Sequence, residues 1–168
     1  MYKEYVDKIK EEHYREPWGI HGIPHIKRVL YLAEQISSHY DLTGEEEQIL
    51  ALAVCYHDIG RVHNEVDRKH GMLSCVKLCN LGLLDAVNLS NEDKDLILRL
   101  ITAHCLDDSA FVGTEREALL FRILKDADGL DRVRIFDLDP FYLRLDESKE
   151  LTDFAWKLLF DKEWEKKI

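Results

Sequence analysis

The chain has 168 residues, 46% of them hydrophobic, enough for one ordinary hydrophobic core and little more. Its 33 acidic residues outnumber 23 basic ones, for a formal charge of −10, which argues against a general nucleic-acid-binding surface and favours small substrates. No stretch approaches the roughly 18 apolar residues of a membrane span, and Met1-Tyr2-Lys3-Glu4-Tyr5 begins no apolar signal, so a cytoplasmic protein is expected.

The pattern is helical nearly throughout. Residues 2–14 place Tyr2, Val6, Ile9 and His13 on one face, and Pro24 can open a second helix carrying Val29, Leu30, Leu32, Ala33 and Ile36 inward. Thr43-Gly44-Glu45-Glu46 is a capping-box pattern for a third helix ending near His57-Asp58. Asp67 can cap a short helix over about 68–80. Ser90-Asn91-Glu92-Asp93 and Thr114-Glu115-Arg116-Glu117 repeat the capping pattern, opening helices that run to about His104 and Leu130. A last amphipathic helix over 149–164 carries Leu151, Phe154, Ala155, Leu158 and Leu159 on its inner face, and the charged run after Asp161 reads as a solvated helix face. No period-2 alternation is sustained, and only 133–138 is ambiguous. The class is therefore all-α, a single domain over 1–168 with its core at about 19–134 and a helical extension at about 140–168. The expected flexible segments are 59–66, 106–113 and 137–148.

Cys55, Cys75, Cys79 and Cys105 form no C-x-x-C pair and read as reduced core thiols. Trp18, Trp156 and Trp164 read as core or helix-docking residues rather than a stacking platform. Among the eight histidines, His13 and His39 are expected at the surface, and His21, four residues before His25, is either a supporting residue or part of a loop.

The chemistry concentrates at His57-Asp58. This ionisable pair closes the apolar stretch 49–56, where burial is costly unless a cation compensates. His25, His70, His104 and Asp128 supply further ligands of the same two types. His57-Asp58, His104 and Asp128 each fall at or near a predicted helix C-terminus, where the macrodipole favours a cation. Imidazole mixed with carboxylate suits a divalent transition metal (Fe, Mn, Zn, Co or Ni) better than Mg or Ca. Six ligands exceed what one catalytic ion usually takes from protein. A lone ion would use His25, His57, Asp58 and Asp128; a second, sharing a bridging Asp58, would recruit His70 and His104.

The ordered pieces are His21-Gly22-Ile23-Pro24-His25-Ile26-Lys27-Arg28-Val29, Val54-Cys55-Tyr56-His57-Asp58-Ile59-Gly60-Arg61 and Leu124-Lys125-Asp126-Ala127-Asp128-Gly129-Leu130-Asp131-Arg132-Val133-Arg134. They resemble the HD-domain phosphohydrolase superfamily. That resemblance implies an all-helical fold with His25, His57, Asp58 and Asp128 on a primary metal, and with His70 and His104 in the places of the two extra histidines of binuclear members. His63 competes with His70 for the inward position.

The implied activity is hydrolysis of a small phosphoester, a nucleotide or related metabolite, by metal-activated water. Arg61, Lys69 and Arg132, each near a ligand in sequence, would bind the phosphoryl group. Asp131 would orient a ligand or the attacking water, and with a lone ion His70 or His104 would protonate the leaving oxygen. Alternatives are a di-iron oxygenase with the same six ligands and a noncatalytic metal-containing sensor domain. The oligomeric state is left open.

Overall fold

The computed structural model describes residues 2–161 and residue 164. Every regular element among them is helical, as the patterning requires: α1 (Ile23–Ser37), α2 (Gly44–Tyr56), α3 (His70–Asn80), α4 (Asn91–Ala103), α5 (Glu115–Leu130), α6 (Asp146–Glu150) and α7 (Thr152–Phe160), with short 3₁₀ turns between. No described helix is long and apolar enough to cross a membrane.

Three of the helices start where the capping boxes place them. Thr43, Ser90 and Thr114 each accept from the backbone N–H three residues on, and Glu46, Asp93 and Glu117 return the bond to the cap. Residues 49–56 of α2 are buried without a break, so beyond its first turn this helix has no solvent face and runs through the centre of the bundle. It packs against α1, α4 and α5, while α1 also packs on α5 and α3 on α4.

Two close approaches bring the end of α2 and the start of α3 to the same place. The Ser74 hydroxyl donates to His57 O at 2.6 Å and accepts from Gly60 N at 2.9 Å, fastening α3 to the turn after the dyad. A Cβ on Gly71 would lie 2.4 Å from Ile101 O, so only glycine lets α3 begin this close to the end of α4.

Several expectations are corrected. Residues 2–14 form two 3₁₀ turns, Tyr2–Lys8 and Glu11–His13, rather than one α-helix. His13 is buried, because this segment lies over α2 and α3: Tyr14 Oη donates to Cys55 O at 2.9 Å and Lys77 Nζ to His13 O at 2.8 Å. Trp18 is 68% exposed, since Ile23 N closes on Pro17 O at 2.7 Å and turns the indole outward. Cys79 is also exposed, on the open side of α3, whereas Cys55 is buried. The expected last helix is two, broken at Leu151. Leu145 N, just before α6, is anchored on Asp126, and the break lets Ala155 and Leu158 reach the core from α7. The charged run after Asp161 lies largely outside the described residues. The ambiguous 133–138 stretch begins as a 3₁₀ turn, Asp131–Ile135, and His39 is exposed as expected.

The segment before α6 is tied to α5 by charge. Arg144 grips Asp108 through Nε (2.9 Å) and Nη2 (2.8 Å), and Asp126 through Nη1 (3.1 Å). Burial would raise the Asp108 carboxyl, but Arg144 and Lys125 outweigh it and bring the group down to about 2. A depressed carboxyl contributes stability that is present above its unfolded value of about 3.9 and is lost as pH falls through the folded value. Acid unfolding followed by circular dichroism is therefore expected to be less steep between about pH 4 and pH 2 in Asp108→Asn than in the parent.

Candidate metal centre

The geometry grows from a local rule that repeats. The last turn of a helix leaves carbonyls without intrahelical donors. His57 Nδ1 is paired with Val54 O at 2.8 Å, and His104 Nδ1 with Ile101 O at 2.6 Å, each three residues back at a helix C-terminus. His70 Nδ1 makes the same contact with Asp67 O at 2.5 Å. A carbonyl only accepts, so each Nδ1 carries the proton and each Nε2 presents a lone pair.

His25, in the first turn of α1, reaches the same state differently. Its Nδ1 lies 2.7 Å from Asp131 Oδ2, and Arg28 Nε and Nη2 hold that carboxylate at 2.5 and 3.0 Å. His25 Nε2 and His57 Nε2 are buried and have no hydrogen-bond partner among the described residues.

All four Nε2 atoms converge on Asp58, whose two oxygens divide them. Oδ2 lies 3.5 Å from His25 and 3.8 Å from His57, while Oδ1 lies 3.2 Å from His70 and 3.6 Å from His104. Asp128 Oδ1 joins the first group, 3.4 Å from His25 and 3.9 Å from His57. Ligand atoms about 2.0–2.2 Å from one ion sit roughly 3–3.5 Å from one another, close to these spacings. His25, His57, Asp128 and Asp58 Oδ2 can thus hold one ion, and His70, His104 and Asp58 Oδ1 another.

The electrostatics suit a cation. Burial pushes the His57 imidazole down to about 3 and His70 to about 4, leaving both rings neutral at pH 7. Burial alone would raise the Asp58 and Asp128 carboxyls, but the surrounding imidazoles, His57 foremost, hold both below the ordinary carboxylate range. His70 Nε2 and His104 Nε2 face each other at 2.9 Å, although the other nitrogen of each ring already donates to a carbonyl. Two such lone pairs approach this closely only around a shared proton or a metal ion. Arg61 Nε donates to Asp58 Oδ1 at 3.1 Å, while His21 Nδ1 lies 3.1 Å from Oδ2 and also 3.1 Å from Arg134 Nη2. Groups of His and Asp at metal-binding spacing are therefore present, and they match the ligand types expected from the sequence.

A cavity of about 520 Å³ opens beside this cluster, its wall including Arg61, His70, His104, Asp128 and Arg132. The structure places the expected site residues unevenly around it. Arg61 and Arg132 line the wall; Lys69 does not, being exposed at the start of α3 while the next residue, His70, turns inward. His63 is exposed and stands 4.0 Å from Asp67, outside the cluster. Asp131 is fully buried behind His25 and meets the site through that ring rather than through the cavity. His21 and Arg28 belong to the constellation as well. Arg28 follows His25 by three residues on α1, a helical spacing that places the two side by side, whereas His21 lies in the turn before the helix and carries no such signal.

The Asp131–His25 contact carries its own expectation. Asp131→Asn removes the negative charge beside His25 Nδ1 and leaves one acceptor where there are two, and it is expected to weaken metal binding about 10–100-fold, measured by competitive chelator titration.

The family described as HD domain matches residues 22–133, a span that contains all six candidate ligands. No curated protein and no solved structure matches the chain.

Proposed function

The chain belongs to the HD domain family, and from that premise we propose that it is a metal-dependent phosphohydrolase that cleaves a small phosphoester by attack of an activated water. The observation that carries this reading is the division of Asp58. One buried carboxylate offers one oxygen to His25 and His57 and the other to His70 and His104, and every one of these rings is locked with its lone pair inward. A hydrogen-bonded structural pair needs one donor per acceptor, whereas this cluster is almost wholly acceptors.

The residues then take definite roles. His25, His57, Asp58 and Asp128 would hold one divalent ion, and Asp58, His70 and His104 a second. Such ions acidify a bound water from a pKa of about 15.7 toward neutrality and draw charge from phosphoryl oxygens. Arg61 and Arg132 stand on the cavity wall, where they would bear on the non-bridging oxygens as negative charge develops. Arg61 also donates to Asp58, coupling the position of the phosphoryl group to that of the carboxylate. Asp131, clamped by Arg28, keeps His25 in the tautomer that presents Nε2.

The test is turnover of a broad phosphoester panel by protein loaded separately with Mn, Co, Zn, Ni and Fe. Phosphate release that depends on the ion and persists with a redox-inert metal such as Zn is expected. Failure of every phosphoester with every ion removes the hydrolase reading. Turnover confined to iron with dioxygen would instead support oxygenase chemistry, which the same ligand types accommodate.

A further inference from the structure

We infer that the substrate carries a second anionic group beside the phosphoryl group to be cleaved, and that Lys125 binds it. The inference rests on the phosphohydrolase reading and adds to it the class of molecule that fits the cavity.

The cations on the cavity wall are not equivalent. Arg144 lies between two carboxylates, with four of its five N–H donors on Asp108, Asp126 and Tyr142 O. Lys125 differs. Its side chain is only 10% exposed, yet it forms part of the cavity wall. Its ammonium is held at 2.6 Å by Leu106 O and at 2.7 Å by Asp108 Oδ1, and lies 5.2 Å from the centre of the Phe121 ring. An ammonium has three donors. Two are engaged, and the third has no partner among the described residues.

An ammonium fixed by two bonds beside an aromatic ring, with its third donor on the cavity side, is placed to take an anionic ligand. A purely structural tie between α5 and the loop after α4 would be met by the same two bonds from a lysine facing away from the cavity. Position adds the second half of the argument. Lys125 precedes Asp128 by three residues on α5, a rise of about 4.5 Å, so the two share one face of the helix a turn apart. Arg132, in the 3₁₀ turn that follows α5, lines the same cavity but donates to Asp137 through Nε and Nη2. A molecule whose phosphoryl group sits at Asp128 therefore meets Lys125 one turn back along α5, displaced from the scissile group toward the loop after α4. A simple phosphate ester with a neutral leaving group would leave the Lys125 donor unmet. A diphosphate, or a phosphate ester bearing a carboxylate or second phosphate, would complete it.

The experiment uses inorganic phosphate and inorganic diphosphate as probes, titrated calorimetrically into the metal-loaded protein, with ion content measured before and after to exclude stripping. One additional charge-assisted hydrogen bond corresponds to about tenfold or more, so diphosphate is expected to bind at least about tenfold tighter than phosphate. Lys125→Gln is expected to bring that ratio below about threefold, and Lys125→Arg to restore most of it. Equal affinities in the parent protein overturn the inference, as does a ratio that Lys125→Gln leaves unchanged. Absence of ion-dependent binding of either probe overturns the phosphohydrolase reading along with it. Should Lys125→Gln fail to fold, Lys125→Met is read in the same way, and a ratio equal to the parent's overturns the inference.

Discussion

Asp58→Ala is expected to lower kcat/KM by at least about a thousandfold, the order lost when a group central to charge stabilisation is taken from an active site. The reason is double occupancy of function. Among the described residues Asp58 is the one whose two oxygens face both histidine groups, so its loss removes a negative ligand from each half of the cluster at once. What remains is the His70–His104 contact at 2.9 Å and two unpartnered Nε2 atoms, with only Asp128 to attract a cation. Asp58→Asn separates charge from shape. The amide fits the same space but offers one acceptor instead of two, and it is also expected to be inactive while keeping parent-like helicity by circular dichroism. Substantial turnover in either variant, with metal still bound, would show that the carboxylate is not the bridge.

Removing the ions is expected to lower the thermal midpoint by about 10 °C in calorimetry, with recovery when a transition metal is returned. Ligand at 1,000 times its dissociation constant stabilises by about 4 kcal/mol, and each kilocalorie shifts a domain of this size by about 2–4 °C. The structural reason is that the acceptors converge where three helix ends meet. His57 and His104 cap α2 and α4, and Asp128 lies in the last turn of α5. Without a cation, carboxylates and lone pairs repel at the junction of the bundle. Asp58→Ala should show a much smaller shift on chelation, since it has little metal to lose. A parent midpoint that chelation leaves unmoved would mean that the cluster is satisfied without an ion.

What the sequence could reveal followed from local signals. The capping boxes at Thr43, Ser90 and Thr114 fix where three helices start, and the unbroken apolar stretch 49–56 marks α2 as central. Helix length then places His57-Asp58, His104 and Asp128 at C-terminal ends, which is why the candidate ligands could be named from patterning before their distances were known. The failures have one physical source: side-chain direction outside regular helices depends on tertiary contacts. His13 lies in a segment whose burial depends on Tyr14 reaching Cys55 and Lys77 reaching back to His13 O. His63 and His70 both follow the dyad, and only the docking of Gly71 against Ile101 turns the second inward. Lys69 adjoins His70 in sequence yet is exposed, whereas Lys125, three residues before Asp128 on the inward face of a helix, reaches the cavity.

The central claim is that Asp58 bridges two ions, and metal content measured on folded, gel-filtered protein tests it most directly. Two transition-metal ions per chain are expected, about 3.5–4 Å apart by X-ray absorption, falling to one in the His70→Ala/His104→Ala double variant. A single ion in the parent protein that the double variant retains in full would contradict it.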